Sequence, residues 1–109
     1  MSGFADRKCA PCEGGVAPMS RAEAQILRAE LHADWTLAED AKSIARSFKF
    51  RDFHRTMSFV NAVAHVANVE DHHPDLEVGY GSCRVRYRTH SIGGLSVNDF
   101  LCAAKIDRL

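Results

Sequence analysis

The sequence predicts an α+β fold in which an antiparallel sheet carries helices packed on one face. The order of elements supports this, because a helix, two strands, a long helix, two more strands and a final helix follow one another along the chain. The second pair of strands alternates apolar and polar residues, as expected for a sheet with one buried face. A length of 109 residues suits one domain with one hydrophobic core.

Residues 1–19 are predicted to form a flexible N-terminal segment that precedes a single domain over residues 20–109. The segment is rich in glycine, proline and small residues, and it carries Cys9 and Cys12 as a Cys-x-x-Cys pair. A structural zinc site needs four ligands, and the other cysteines, Cys83 and Cys102, fall in a predicted strand and a predicted helix. We therefore expect no metal and a simple tail, with a metal or redox role for the pair as the alternative.

Composition argues against several classes of partner. The 14 basic and 14 acidic side chains balance, and no long basic tract suggests binding of nucleic acid. No apolar run approaches the length of a transmembrane span, and the first residues lack the apolar stretch of a secretory signal. We therefore expect a soluble cytoplasmic protein that binds neither nucleic acid nor membranes.

The first helix is predicted to begin after Ser20, because Glu23 completes a capping-box pattern, and to end near Leu31. Apolar residues between positions 34 and 50 then predict two short strands or one hairpin. The long helix is predicted to run from Asp52, a favourable N-cap, to about Val69.

One face of the long helix is predicted to pack against the sheet. The apolar residues on that face are Phe53, Met57, Val60, Ala64 and Ala67. His54 and His65 lie on the opposite or flanking arc, and His32 follows the first helix, so we expect all three histidines to be exposed to solvent.

Two alternating stretches after the long helix predict a hairpin with one buried face. The apolar positions are Leu76, Val78 and Tyr80 in the first stretch and Cys83, Val85, Tyr87 and Thr89 in the second. Since side chains alternate between the faces of a strand, Arg84, Arg86, Arg88 and His90 should share the opposite face. We expect that row to face solvent or a second subunit, with an anionic partner as the alternative. A last helix, capped by Ser96 and Asp99, follows.

The adjacent histidines His72 and His73 point to acid–base chemistry. Imidazole, with an ordinary pKa of about 6.5, both donates and accepts protons near neutral pH. Pro74 favours extended geometry at His73, so the two side chains should diverge and flank a small ligand from two directions. Two solvated loop histidines are the alternative for this pair taken alone.

Residues 68–99 resemble the pterin-4a-carbinolamine dehydratase family in residue identity and spacing. The motif consists of two histidines and a proline, an aromatic residue, a third histidine preceded by threonine, and an aspartate. This sequence supplies it as His72, His73, Pro74, Tyr80, Thr89, His90 and Asp99. The resemblance extends to Trp35, to residues 48–53 and to the CAPCEGG opening at residues 9–15.

The resemblance implies a four-stranded antiparallel sheet with helices on one face, and a homodimer or homotetramer. It implies a dehydratase that removes water from 4a-hydroxytetrahydropterin (4a-hydroxytetrahydrobiopterin) to give quinonoid dihydropterin in tetrahydropterin recycling, without a cofactor or metal. The catalytic residues would be His72, His73 and His90, acting as general acids and bases. The pterin would be bound by Asp71, His72, His73, Arg88, Thr89, His90, Ser91 and Asp99.

One position departs from the family pattern, because Asn68 stands where an acidic residue is usual. A carboxylate there would orient His72 and raise its basicity, so we expect Glu70 or Asp71 to substitute, or a lower activity. The first alternative to an enzyme is a non-catalytic binding protein of the same fold, of the transcription dimerisation cofactor or Rubisco assembly chaperone type. Retention of all three histidines favours the enzyme over this binding protein. The second alternative is a metal site formed by the three histidines, which is disfavoured because three neutral ligands without a nearby carboxylate pattern would leave zinc poorly specified.

Overall fold

The computed structural model describes residues 3–10 and 17–109. The longer elements are α1 (Arg21–Arg28), β1 (Thr36–Leu37), β2 (Ile44–Lys49), α2 (Phe53–Glu70), β3 (Asp75–Val78), β4 (Ser82–Tyr87) and α3 (Val97–Ile106). Two short 3-10 helices cover Phe4–Asp6 and His90–Ile92. None of the helices in this part of the chain is long and apolar enough to cross a membrane.

The four strands form one antiparallel sheet in the order β1-β2-β4-β3. The predicted α+β class and the four-stranded antiparallel sheet are therefore confirmed. The central strand β4 pairs Val85 with Arg46 of β2 on one side and with Leu76 of β3 on the other. The beginning of β3 consequently lies beside the end of β4, where Asp75 pairs with Arg86, so the residues just before β3 and just after β4 are brought together.

Local capping signals determine where two helices begin. Ser20 accepts a hydrogen bond from the amide of Glu23, and Ser96 and Asp99 form the same reciprocal arrangement at the start of α3. The first helix ends at Arg28, three residues before the predicted end. The chain continues in a tighter turn, because the amide of Leu31 donates to the carbonyl of Arg28.

The buried face of α2 agrees only in part with the predicted one, because Ala67 and Val60 pack toward the core as expected. Val63, Ala67 and Thr56 are buried, whereas Phe53 and Ala64 are exposed. Apolar residues occupy more than one face of this helix, so periodicity alone does not select the face that packs. The hydroxyl of Thr56 lies 2.8 Å from the carbonyl oxygen of Tyr80, which holds this face of the helix against the β3–β4 turn.

The core lies between the helices and one face of the sheet. The alternation in β4 is confirmed, because Cys83, Val85 and Tyr87 are fully buried while Arg84 and Arg88 are exposed. The largest fully buried side chains are Trp35, Tyr87, Phe100, Ile44, Leu95, Leu101 and Ile106. The core therefore packs β4 of the sheet against α3.

Residues 3–10 pack on α3 in the structure. The ammonium group of Lys105 donates to the carbonyl of Ala5 at 2.7 Å, and Arg108 pairs with Asp6 at 2.8 Å. This stretch of the predicted flexible segment thus has specific contacts with the domain. Cys12 lies outside the described residues.

Candidate active site

The end of α2 positions the two adjacent histidines. Asp71 adopts the left-handed backbone conformation, with φ 51° and ψ 43°, and ends the helix. The next amide, that of His72, donates to the carbonyl of Ala67 at 3.1 Å, as in a Schellman-type cap. No further linker separates the helix from His72 and His73, so their backbone positions follow from the geometry of the helix end.

The third histidine reaches the same region from β4. Beyond this strand, the amide of Thr89 donates to the carbonyl of Gly94 at 2.8 Å and closes a short turn that contains His90. Gly93 completes the turn with a positive φ of 68°, a conformation that glycine adopts without strain. The turn then leads directly into α3, which begins after Ser96.

These segments surround a cavity of about 480 Å³, a size that suits a small organic ligand. Its lining residues are Cys9, Ala10, Glu70, Asp71, His72, His73, Arg88, Thr89, His90, Ser91 and Asn98. The structure therefore brings together every residue predicted for catalysis or pterin binding with the exception of Asp99.

Asp99 lies beneath the cavity and is fully buried. Its Oδ1 lies 2.6 Å from Nε2 of His72, and its Oδ2 accepts hydrogen bonds from the hydroxyl of Thr89 at 2.8 Å and the amide of Ser96 at 2.9 Å. The predicted contact of Asp99 with a pterin is at odds with this burial, since both carboxylate oxygens are used by protein groups. Its carboxylate orients His72 instead.

The carboxylate expected to be missing at position 68 is thus supplied by α3. Asn68 approaches the other histidine, with its Oδ1 3.4 Å from Nε2 of His73. Glu70 accepts the amide of Cys9 at 2.9 Å, so its carboxylate does not replace the family's acidic residue at His72. Among the described residues, Asp99 supplies the carboxylate that accepts a hydrogen bond from the His72 ring.

The environment of His72 favours its protonated form. Burial by itself would lower the pKa of His72, but the hydrogen bond and the negative charge of Asp99 outweigh it and raise this pKa above its ordinary value. The ring also stacks on Tyr87, with centroids 5.8 Å apart and planes within 6° of parallel. Since Asp99 occupies Nε2, the other nitrogen, Nδ1, is the one left for a ligand.

His73 and His90 are more exposed than His72. The guanidinium of Arg88 lies 3.2 Å from Nδ1 of His90. A guanidinium only donates hydrogen bonds, so Nδ1 of His90 is the acceptor and the proton of the neutral ring resides on Nε2. The site therefore combines one partly buried histidine paired with a carboxylate and two accessible histidines.

Sequence reasoning missed Cys9 and Asn98 as cavity residues. Asn98 accepts the amide of Ala10 at 3.1 Å through its side chain, which brings the N-terminal segment to the cavity wall. The Cys-x-x-Cys motif marked Cys9 as unusual, but no local signal indicated which element it contacts. Within residues 3–10 and 17–109, no group of three or more His, Cys, Asp or Glu side chains is arranged to hold a metal ion.

Comparison with known protein families gives one match, to the model described as pterin 4 alpha carbinolamine dehydratase, over residues 17–109. Similar proteins include one from Nitrosomonas eutropha, 58% identical over 97% of this chain and 92% of its own length. Another, from Legionella pneumophila strain Corby, is 48% identical over 99% of this chain and 96% of its own length. Both are provisionally named pterin-4-alpha-carbinolamine dehydratase.

Solved structures also share the fold, among them the two that follow. A transcriptional coactivator/pterin dehydratase from Brucella melitensis superposes with a TM-score of 0.78 at 30% identity, covering 84% of this chain and 96% of that one. A pterin dehydratase-like protein identified as a RuBisCO assembly factor in the alpha-carboxysome gives a TM-score of 0.61 at 18% identity, covering 71% of this chain and 89% of that one. The second likeness shows the fold alone.

Proposed function

The chain belongs to the pterin 4 alpha carbinolamine dehydratase family, and we propose that it removes water from a 4a-hydroxytetrahydropterin by histidine acid–base catalysis. The observation that carries this proposal is the presence of His72, His73 and His90 around one cavity. The cavity is large enough for a bicyclic ring system, and three elements of the fold contribute to its walls.

The reaction needs two proton transfers. The hydroxyl on C4a must gain a proton to leave as water, and N5 of the ring must lose one so that the quinonoid dihydropterin forms. A histidine placed for either transfer contributes a factor on the order of 10² to 10⁴ in rate. Imidazoles with pKa values near the working pH are suited to both steps.

The three histidines differ in ways that suggest separate roles. His72 has a raised pKa and a buried carboxylate partner, which favour its protonated form, so it serves as the acid toward the leaving hydroxyl. The accessible rings of His73 and His90 are then the bases available to N5. This division rests on the different surroundings of the three rings.

The remaining cavity residues suit the polar edge of a pterin. Its amino-pyrimidinone ring presents hydrogen-bond donors and acceptors side by side. Asp71 contributes a carboxylate that accepts, and Arg88 contributes a guanidinium that donates. Together with the hydroxyl of Ser91, they give the cavity wall both kinds of partner.

We also propose that the protein forms a homo-oligomer. Phe53 and Tyr80 stack on each other with centroids 6.3 Å apart, yet they are 48% and 70% exposed. Val78, two residues before Tyr80, is 44% exposed. Exposed apolar side chains that pack on each other in this way are typical of an interface. Sedimentation equilibrium should give a mass above that of one chain, and a monomer at all concentrations would refute this.

The dehydration itself is tested with a 4a-hydroxytetrahydropterin generated in place by an aromatic amino-acid hydroxylase. We expect the protein to accelerate loss of water over the spontaneous reaction, in proportion to its concentration. An equal amount of heat-inactivated protein is the control. Folded protein that gives no acceleration would overturn the proposal and favour the non-catalytic binding role.

A further inference from the structure

Two thiols from opposite ends of the chain meet at the wall of the cavity. The Sγ atoms of Cys9 and Cys102 lie 3.3 Å apart, although 93 residues separate them in the sequence. Cys9 is half-buried and lines the cavity, whereas Cys102 is fully buried in α3. The proposed dehydration uses neither thiol.

Several hydrogen bonds hold Cys9 in this position. Its amide donates to the Glu70 carboxylate at 2.9 Å, and the next amide, that of Ala10, donates to the side chain of Asn98. Asn98 and Cys102 are four residues apart in α3 and therefore lie on the same face of the helix. The N-terminal segment is thus docked on the helix surface that carries the second thiol.

We propose that Cys9 and Cys102 form a site of reversible oxidation by peroxide, in which their thiols become a disulfide that ties the N-terminal segment to α3. The two sulfur atoms need only approach from 3.3 Å to about 2 Å. Cys102 is fixed in a helix, while Cys9 belongs to a stretch without regular secondary structure. The movement that brings the two sulfur atoms together can therefore be made by Cys9.

The surroundings of the two thiols give them different roles. The hydrogen bond from Cys102, assisted by the positive charges of His72 and Lys105, holds the pKa of Cys9 below its ordinary value. The same hydrogen bond and burial raise the pKa of Cys102. A small oxidant in the cavity can reach Cys9, so Cys9 is the sulfur that reacts with peroxide. Cys102 is the resolving sulfur, which then forms the disulfide with Cys9.

The oxidation proceeds in two steps. The Cys9 thiolate attacks one oxygen of hydrogen peroxide, so that an S–O bond forms, the O–O bond breaks and the hydroxide released takes up a proton to become water. The sulfur of Cys102 then attacks Sγ of Cys9, the S–S bond forms, and the oxygen leaves as a second water with the proton of Cys102. Two electrons pass from the thiols to the peroxide.

The test is a peptide analysis of fully reduced protein treated with hydrogen peroxide, after the remaining thiols have been alkylated. Trypsin should place Cys9 in a peptide of residues 9–21 and Cys102 in one of residues 89–105. We expect these two peptides to be joined, and dithiothreitol to separate them. The oxidised protein should also unfold at a temperature higher by on the order of 10 °C, because the disulfide closes a very long loop.

The variant Cys12→Ser removes the other cysteine of the first peptide and should leave the link in place. Cys102→Ser should abolish the link. Cys9→Ser, which changes a half-buried position, should abolish it as well and tests the proposal even where the buried substitution Cys102→Ser prevents folding. A Cys9–Cys12 disulfide in the wild type with Cys102 alkylated, or Cys9 oxidised to a sulfonic acid without a link, would overturn the proposal. These readouts use masses, so they are independent of any dehydratase activity.

Discussion

His72 and Asp99 lie 27 residues apart in the sequence, and a contact of 2.6 Å joins Nε2 of the imidazole to Oδ1 of the carboxylate. The carboxylate is fully buried, and its other oxygen accepts hydrogen bonds from Thr89 and from the amide of Ser96. Asp99 therefore caps α3 and orients His72 at the same time. The proton affinity of the ring depends on the first turn of this helix.

Asp99→Asn should lower the pKa of His72, because the ring stays buried while the negative charge beside it is removed. We expect turnover in the dehydration assay to fall by one to two orders of magnitude. An NMR titration of the His72 ring and the pH–rate profile measure the two effects. Asp75→Asn, which removes an exposed partner of Arg86, is the control and should change neither. An unchanged His72 titration in Asp99→Asn would contradict this assignment.

The stability of the protein should depend on pH through His72. The folded-state pKa of this residue is raised above the ordinary value of about 6.5, so the folded protein binds the proton more tightly than the unfolded chain does. This contribution is complete below about pH 6.5 and is lost as the pH rises through the folded-state pKa. Urea unfolding of the wild type and of His72→Gln measures it as a difference in the free energy of unfolding. The difference in the free energy of unfolding between the two proteins should shrink as the pH rises. A difference that grows with pH would contradict the raised pKa of His72.

His73→Ala and His90→Ala should each reduce turnover by a factor on the order of 10² or more, because each removes a proton-transfer group from the cavity. Both side chains are exposed, so the unfolding temperature should change little. His54→Ala and His65→Ala alter exposed residues of α2 away from the cavity and serve as matched controls. Full activity in the His73 and His90 variants would place the chemistry elsewhere.

The packing face of α2 can be tested with one substitution made at two positions. Val63 is fully buried and Val69 is 56% exposed on the same helix. Val63→Ala should lower the free energy of unfolding by about 1–3 kcal/mol, because it leaves a cavity in the core. Val69→Ala should change it by less than about 0.5 kcal/mol. Equal losses at both positions, measured by urea unfolding, would show that the helix packs differently.

Features encoded in short stretches of sequence could be predicted well. The capping boxes at Ser20 and Ser96 involve residues three positions apart, so their pattern is visible locally. The alternation in β4 reports directly on its buried face, since side chains of a strand point to opposite sides. In α2 the predicted residue Ala67 is buried, but the polar residue Thr56 is buried too and the apolar residue Phe53 is exposed, so the hydrophobicity pattern selected the packing face only in part.

Pairings between distant parts of the chain could not be predicted from the pattern of residues alone. The histidine motif identified the cavity residues, but the burial of Asp99 became visible only when α3 was placed beneath His72. The contact of Cys9 with Cys102 likewise depends on the docking of the N-terminal segment. The packing of the N-terminal segment and the end of α2 against α3 decides both pairings. The local periodicity of the sequence does not encode this packing.

The left-handed conformation of Asp71 restricts which sequences can build this site. Most side chains that adopt such a conformation destabilise the fold by about 1 kcal/mol or more, whereas glycine, asparagine and aspartate tolerate it. Of these three, only aspartate also brings a negative charge to the cavity wall. Position 71 thus has two requirements, a residue that tolerates the left-handed backbone and a negatively charged side chain, and aspartate meets both.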